Sequence, residues 1–140
     1  ALIRLAGHRV SLKDDEKDLR NDLTAFYKQA DLAPPTIKEV MAKFTKYPHD
    51  LLKEVMAVMM RDDVLIKVTE DLYFHKTCLD SLKEKLVASL IRDGELDTPS
   101  FKNMTGLSRK FSIPLLEYFD KTKVTIRVGD KRILREKHNP

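Results

Sequence analysis

The order of apolar and polar positions divides the chain into short amphipathic segments separated by breakers. Residues 2–12 read as a strand and turn, with Gly7-His8 as the turn and Val10 and Leu12 on one face. A helix begins at Lys13, with Asp14, Asp15 and Glu16 in its first turn, where carboxylates complement the helix dipole. Leu19, Leu23, Phe26, Tyr27 and Ala30 then recur at helical spacing. Pro34-Pro35 interrupts the chain, and Thr36 is placed to cap a short helix carrying Ile37, Val40 and Met41. Tyr47-Pro48 opens a third helix with Leu51, Leu52, Val55, Met56 and Met59 as its stripe. Val64-Leu65-Ile66-Lys67-Val68 and Leu72-Tyr73-Phe74 are short strands joined through Thr69-Glu70-Asp71.

The second half repeats this order. Cys78 to Ile91 is a helix with Leu79, Leu82, Leu86, Val87 and Leu90 on one side, ended by Gly94. Thr98-Pro99 starts a short helix with Phe101 and Met104, stopped by Gly106. Ser108 suits the N-cap of a third helix containing Phe111, Leu115, Leu116 and Phe119. Pro114 lies inside it, so either the regular helix starts near Ser112 or its first turns are irregular. Val124-Thr125-Ile126-Arg127-Val128 and Arg132-Ile133-Leu134 close as a hairpin around Gly129-Asp130.

The halves superpose in register. Pro35, Thr36, Ile37, Lys38 and Val40 match Pro99, Ser100, Phe101, Lys102 and Met104 at an offset of 64, as Leu51-Leu52 match Leu115-Leu116. The strands Val64–Val68 and Val124–Val128 match at an offset of 60. Three helices followed by a two-stranded hairpin is the winged-helix order, a helix-turn-helix with a β-wing. The expected fold is therefore α+β, mostly α with short β-hairpins, in tandem winged-helix domains at 13–75 and 76–140.

Composition narrows the function. The chain has 140 residues, four glycines and one cysteine. The glycines stand at least 12 residues apart, so neither GxGxxG nor GxxxxGK[ST] occurs. One cysteine supports neither a disulfide framework nor a cysteine zinc site. His8, His49, His75 and His138 lack metal-ligand spacing, and Cys78 reads as a packed thiol. No apolar run reaches the length of a membrane span. The net charge of +4 is uneven: residues 1–75 carry 12 basic and 13 acidic side chains, and residues 76–140 carry 14 and 9. Residues 108–137 alone hold 9 basic and 4 acidic groups. Such a concentration is either a surface that meets phosphates or a solvated basic face.

Duplicates share a fold, so their differences point to function. The first wing tip is Glu70-Asp71 and the second Asp130-Lys131-Arg132. The first copy's third helix begins Tyr47-Pro48-His49-Asp50, and the second's begins Ser108-Arg109-Lys110. Cations thus stand in the second copy at both places where a winged helix meets nucleic acid. A helix N-terminus offers free N–H groups and a positive dipole end to a phosphate. Ser108, Arg109 and Lys110 reinforce that site, while Arg127, Lys131 and Arg132 on the wing, on either side of Gly129, form a second grip. Tyr118 is a candidate stacking platform or a partly buried core residue, and Lys121 and Lys123 read as helix C-terminal charges. The first copy reads as a spacer or protein-contact module.

The string FKNMTGLSRKFSIPLLEYFDKTKVTIRVGDKRILR, Phe101 to Arg135, resembles the C-terminal end of bacterial selenocysteine-specific elongation factors, the SelB family. Upstream, LIRLAGHRVSL and Leu32-Ala33-Pro34-Pro35 are similar to the same family. The resemblance implies that residues 1–12 close a preceding winged helix, making this chain a piece of a longer factor. It implies that the last winged helix binds a messenger-RNA hairpin, the selenocysteine insertion element beside an in-frame UGA codon. Ser108, Arg109, Lys110 and the wing from Arg127 to Arg132 match the RNA-contacting region. GTP, magnesium and selenocysteyl-tRNA would belong to a GTPase part absent from this sequence, so no cofactor and no catalytic activity are expected here. A cytoplasmic location goes with the same resemblance, which leaves ribosome contact by this piece open. A monomer is expected because no long dimer helix or heptad seam occurs, and no membrane partner because no apolar run reaches a span. Two other readings stand: a winged-helix DNA-binding transcription regulator, and a protein-interaction module with a basic surface.

Overall fold

The computed structural model describes residues 2–135, with side chains from residue 14 to residue 135. Two compact units divide between Lys76 and Thr77. In the first, α1 (Leu2–Ala30), α2 (Ile37–Lys43) and α3 (His49–Arg61) precede an antiparallel hairpin of β1 (Leu65–Lys67) and β2 (Tyr73–His75). The second unit starts within α4 (Lys76–Asp93) and continues through β3 (Leu96–Asp97), α5 (Thr98–Thr105) and α6 (Arg109–Lys121). It ends in the hairpin of β4 (Thr125–Val128) and β5 (Lys131–Leu134). Mostly helical units with small antiparallel sheets are the expected winged helices.

The first twelve residues depart from expectation. The backbone from Leu2 to Leu12 is helical and continuous with α1, not the strand, turn or wing expected there. Asp14, Asp15 and Glu16 consequently lie inside a helix rather than in its first turn. No proline precedes Pro34, and an interior glycine such as Gly7 costs about 1 kcal/mol, too little to end a long ladder. Leu5, Leu12, Leu19 and Phe26 at seven-residue spacing carry the helical period that the local Val10/Leu12 alternation hides.

Each unit buries the stripes its sequence marks. Leu19, Leu23 and Tyr27 of α1 pack with Val40, Tyr47, Leu51, Leu52, Val55, Met56, Met59 and Leu65. Thr36 and Glu39 form a reciprocal capping box at the start of α2. In the second unit Leu79, Leu82, Leu86, Leu90, Leu96, Phe101, Leu115, Leu116, Phe119 and Val124 are buried. The Asp97 carboxylate caps α5 by accepting from the Ser100 N–H at 2.8 Å.

The duplication extends to individual hydrogen bonds. Asp63 and Lys123 both adopt left-handed backbone, with φ of 59° and 68°, where the third helix turns into the wing. The next N–H donates back to the helix in both units, Val64 to the Met59 carbonyl and Val124 to the Phe119 carbonyl, at 2.8 and 2.9 Å. One element was not expected. β3 pairs Leu96 with Arg132 and Asp97 with Lys131, giving a three-stranded sheet of order β3-β5-β4. Two residues are too few to show a period-two pattern.

A candidate nucleic-acid interface on the last winged helix

Gly106 and Ser108 place the start of α6. Gly106 takes φ of +71°, which a side chain would disfavour, and its N–H closes α5 on the Lys102 carbonyl at 2.7 Å. Ser108 is the N-cap, as expected, but its hydroxyl makes no capping bond. Its carbonyl instead accepts from the N–H groups of Phe111 and Ser112 and from the buried Ser112 hydroxyl, at 3.1, 3.0 and 2.9 Å. Among the described residues the N–H groups of Arg109 and Lys110 have no partner, so they are available to an anion. The helix begins at Arg109, not Ser112, with a tightened first turn. Pro114 has no N–H to return to the Lys110 carbonyl, so the regular i to i−4 ladder is interrupted there.

Two exposed cations frame these donors. Neither Arg109 nor Lys110 forms an ion pair with any described residue, and the Lys110 ammonium lies 5.4 Å from the Phe111 ring centroid. Arg109 also lines a cleft of about 270 Å³ with Thr98, Pro99, Lys102 and Asn103 of α5. Lys102 and Asn103 are candidate site residues that sequence reasoning missed. Only the helix-turn-helix brings them beside Arg109, and no local spacing shows it.

The wing differs from its expectation. Gly129, at φ of +67°, makes the turn between Val128 and Lys131. Arg127 is exposed but folds back, its Nε donating to the Gly129 carbonyl at 2.8 Å. The Lys131 ammonium meets the Glu95 carboxylate. Arg132 is not a surface cation: the residue is 4% exposed and its Nη2 donates to Asp120 at 2.8 Å. It therefore leaves the candidate set. Its neighbour Ile133, which alternation places inside, is 36% exposed instead. Thr125 and Arg132 turn inward because Asp120 on α6 offers both an acceptor, which no period-two reading detects. Tyr118 is half-buried against Phe119. Ser108, Arg109 and Lys110 thus cluster, with Lys102 and Asn103 added, while the wing's cations are internally engaged.

The first unit lacks this arrangement. Its α3 is capped by Pro48 without a side-chain bond and carries Asp50 in its first turn. Its wing pairs Lys67 with Glu70 at 3.2 Å. No group of metal-ligating side chains occurs among the described residues, and no described helix is long and apolar enough to cross a membrane.

A helix start with two cations that form no ion pair among the described residues, beside a small cleft, suits an anion such as a phosphate. Residues 88–134 match the family described as elongation factor SelB, winged helix. These residues resemble the SelB winged helix. The resemblance to SelB continues upstream: 136 residues, 97% of the chain, are 38% identical to the selenocysteine-specific elongation factor of Desulfomicrobium baculatum. The chain spans 21% of that relative's length. Among solved structures, the mRNA-binding domain of elongation factor SelB from E. coli, in complex with SECIS RNA, superposes with a TM-score of 0.62. That match is 22% identical and covers 69% of this chain and 80% of the other. A bacterial selenocysteine-specific elongation factor, EF-Sec, gives a TM-score of 0.69 at 22% identity, over 87% of this chain and 19% of the other. The two structures share the fold with this chain.

Proposed function

We propose that this chain is the messenger-RNA-holding end of a selenocysteine-specific elongation factor. Its last winged helix binds the selenocysteine insertion hairpin beside an in-frame UGA codon. The tethered remainder of the factor delivers selenocysteyl-tRNA to the ribosome there, with GTP and magnesium held outside this chain. The single observation that carries the reading is the α6 start, where the Arg109 and Lys110 N–H groups have no hydrogen-bond partner and their side chains no ion pair among the described residues. A compact anion site of this kind suits the backbone of a hairpin loop. The adjoining cleft, with the Asn103 amide and the Arg109 guanidinium in its wall, has room for one unstacked base.

The test is a fluorescence-anisotropy titration of the 140-residue chain. The probes are an RNA hairpin from just downstream of a selenoprotein UGA codon, a loop-scrambled hairpin and duplex DNA, each at several salt concentrations. The native hairpin binds tightest, and affinity falls with salt. Preference for duplex DNA, or binding without salt dependence, refutes the proposal.

A further inference from the structure

Lys131 opens β5 under the pull of three carboxylates. Glu95 Oε2 lies 2.6 Å from its ammonium. Asp97 stands directly opposite it across the β3–β5 ladder, and Asp130 precedes it in the turn. The hydrogen bond that Lys131 donates to Glu95, the Glu95 charge, and the Asp130 and Asp97 charges behind it all raise the Lys131 pKa. Paired residues of an antiparallel ladder share a face, so Lys131 lies with Ile126, Val128 and Ile133 as the one cation on that face of the β4–β5 hairpin. The same corner adjoins the α6 site, because Asp97 caps α5 and the next residue, Thr98, lines the Arg109 cleft.

We infer that Glu95 is an intramolecular competitor for nucleic-acid phosphate at Lys131, so that it limits both the affinity and the number of phosphates the wing engages. The inference rests on the α6 start being an RNA site. A phosphate reaches Lys131 only by displacing a group of the same charge. The carboxylate so released gathers a counterion of its own. The exchange therefore gains little free energy and adds little salt dependence, unlike contacts to Arg109 and Lys110, which begin without an ion partner. Glu95 thereby concentrates recognition on the helix start and suppresses indiscriminate phosphate binding by the wing.

The test is a cycle of Glu95→Gln, Lys131→Gln and the double variant in the full chain, with folding checked by circular dichroism. Each is titrated with the labelled selenoprotein hairpin across a potassium chloride series, with Arg109→Ala as a separate control. Glu95→Gln tightens binding about two- to five-fold, the most that an exposed ion pair of this kind is worth. It also steepens the log–log salt slope by about 0.7–0.9, one added phosphate contact. Lys131→Gln alone changes affinity less than about two-fold, and Glu95→Gln adds nothing in its presence. An equal gain with and without Lys131 shows long-range charge only and overturns the inference. No gain, with hairpin binding that Arg109→Ala weakens, overturns it alone. A wild-type chain that ignores the hairpin, or ignores Arg109→Ala, overturns the α6 reading and this inference together.

Discussion

Removing the Asp120 carboxylate leaves Arg132 charged and buried beneath the wing. Asp120 Oδ2 accepts from Arg132 Nη2 at 2.8 Å, and Oδ1 accepts from the Thr125 hydroxyl at 2.6 Å and from Arg132 Nε at 3.4 Å. The Arg132 side chain is 5% exposed and that of Asp120 25%. Deleting one partner of a fully buried pair costs about 3–5 kcal/mol, and partial access of water through Asp120 brings Asp120→Ala down to about 2–3 kcal/mol. The first unit shows what the same positions hold without charge. Met60 and Asp120 both accept the N–H of the left-handed residue three positions on. Leu65 and Thr125 open the wing, and Tyr73 and Arg132 pair with Lys67 and Arg127. Grafting that apolar trio, as Asp120→Met, Thr125→Leu and Arg132→Tyr together, leaves stability within about 1 kcal/mol of the parent or above it. Urea unfolding followed by hydrogen-exchange mass spectrometry on peptides from residues 115–135 reads the second unit separately. An Asp120→Ala loss below about 0.5 kcal/mol, or a graft as costly as the single change, refutes the reasoning.

The other predictions concern single groups. Tyr27 is fully buried with an unpartnered hydroxyl, and burial raises its pKa. Tyr27→Phe is therefore neutral or stabilising by up to about 1 kcal/mol in a thermal melt, and a loss of that size means the hydroxyl has a partner. His75 is buried beside the Lys28 charge, and desolvation first and Lys28 second lower its pKa below the ordinary 6.5. Between the two values the unfolded chain holds a proton that the folded one lacks. First-unit stability is unaffected above pH 6.5 and falls as pH drops through that value, and His75→Gln flattens this dependence in urea melts at pH 5 and 7.5. Lys123 sits at φ of 68°, so Lys123→Gly relieves more backbone strain than it adds chain entropy and raises stability by about 0.5–1 kcal/mol. A melting temperature that falls on this change contradicts it.

How much the sequence discloses depends on how local each feature is. The stripes Leu51 to Met59 and Leu79 to Leu90 and the breakers Pro34, Gly94 and Gly106 act within one element, and the fold followed from them. The Ser108 to Lys110 cluster was legible for the same reason, because a helix start presents neighbouring residues together. Arg132 was not, because its fate depends on Asp120, which stands on another element. Lys102 and Asn103 reach the site only through the turn at Gly106. Leu2 to Leu12 misled through the local Val10/Leu12 alternation inside a longer helical period.

The most direct test of the central claim is an amide NMR titration of the 15N-labelled chain with the selenoprotein hairpin. The account predicts that the largest shifts fall on Arg109 and Lys110, followed by Lys102 and Asn103, with Glu70 and Asp71 of the first wing unchanged. Shifts centred on Glu70 and Asp71, or spread evenly over both units, would contradict it.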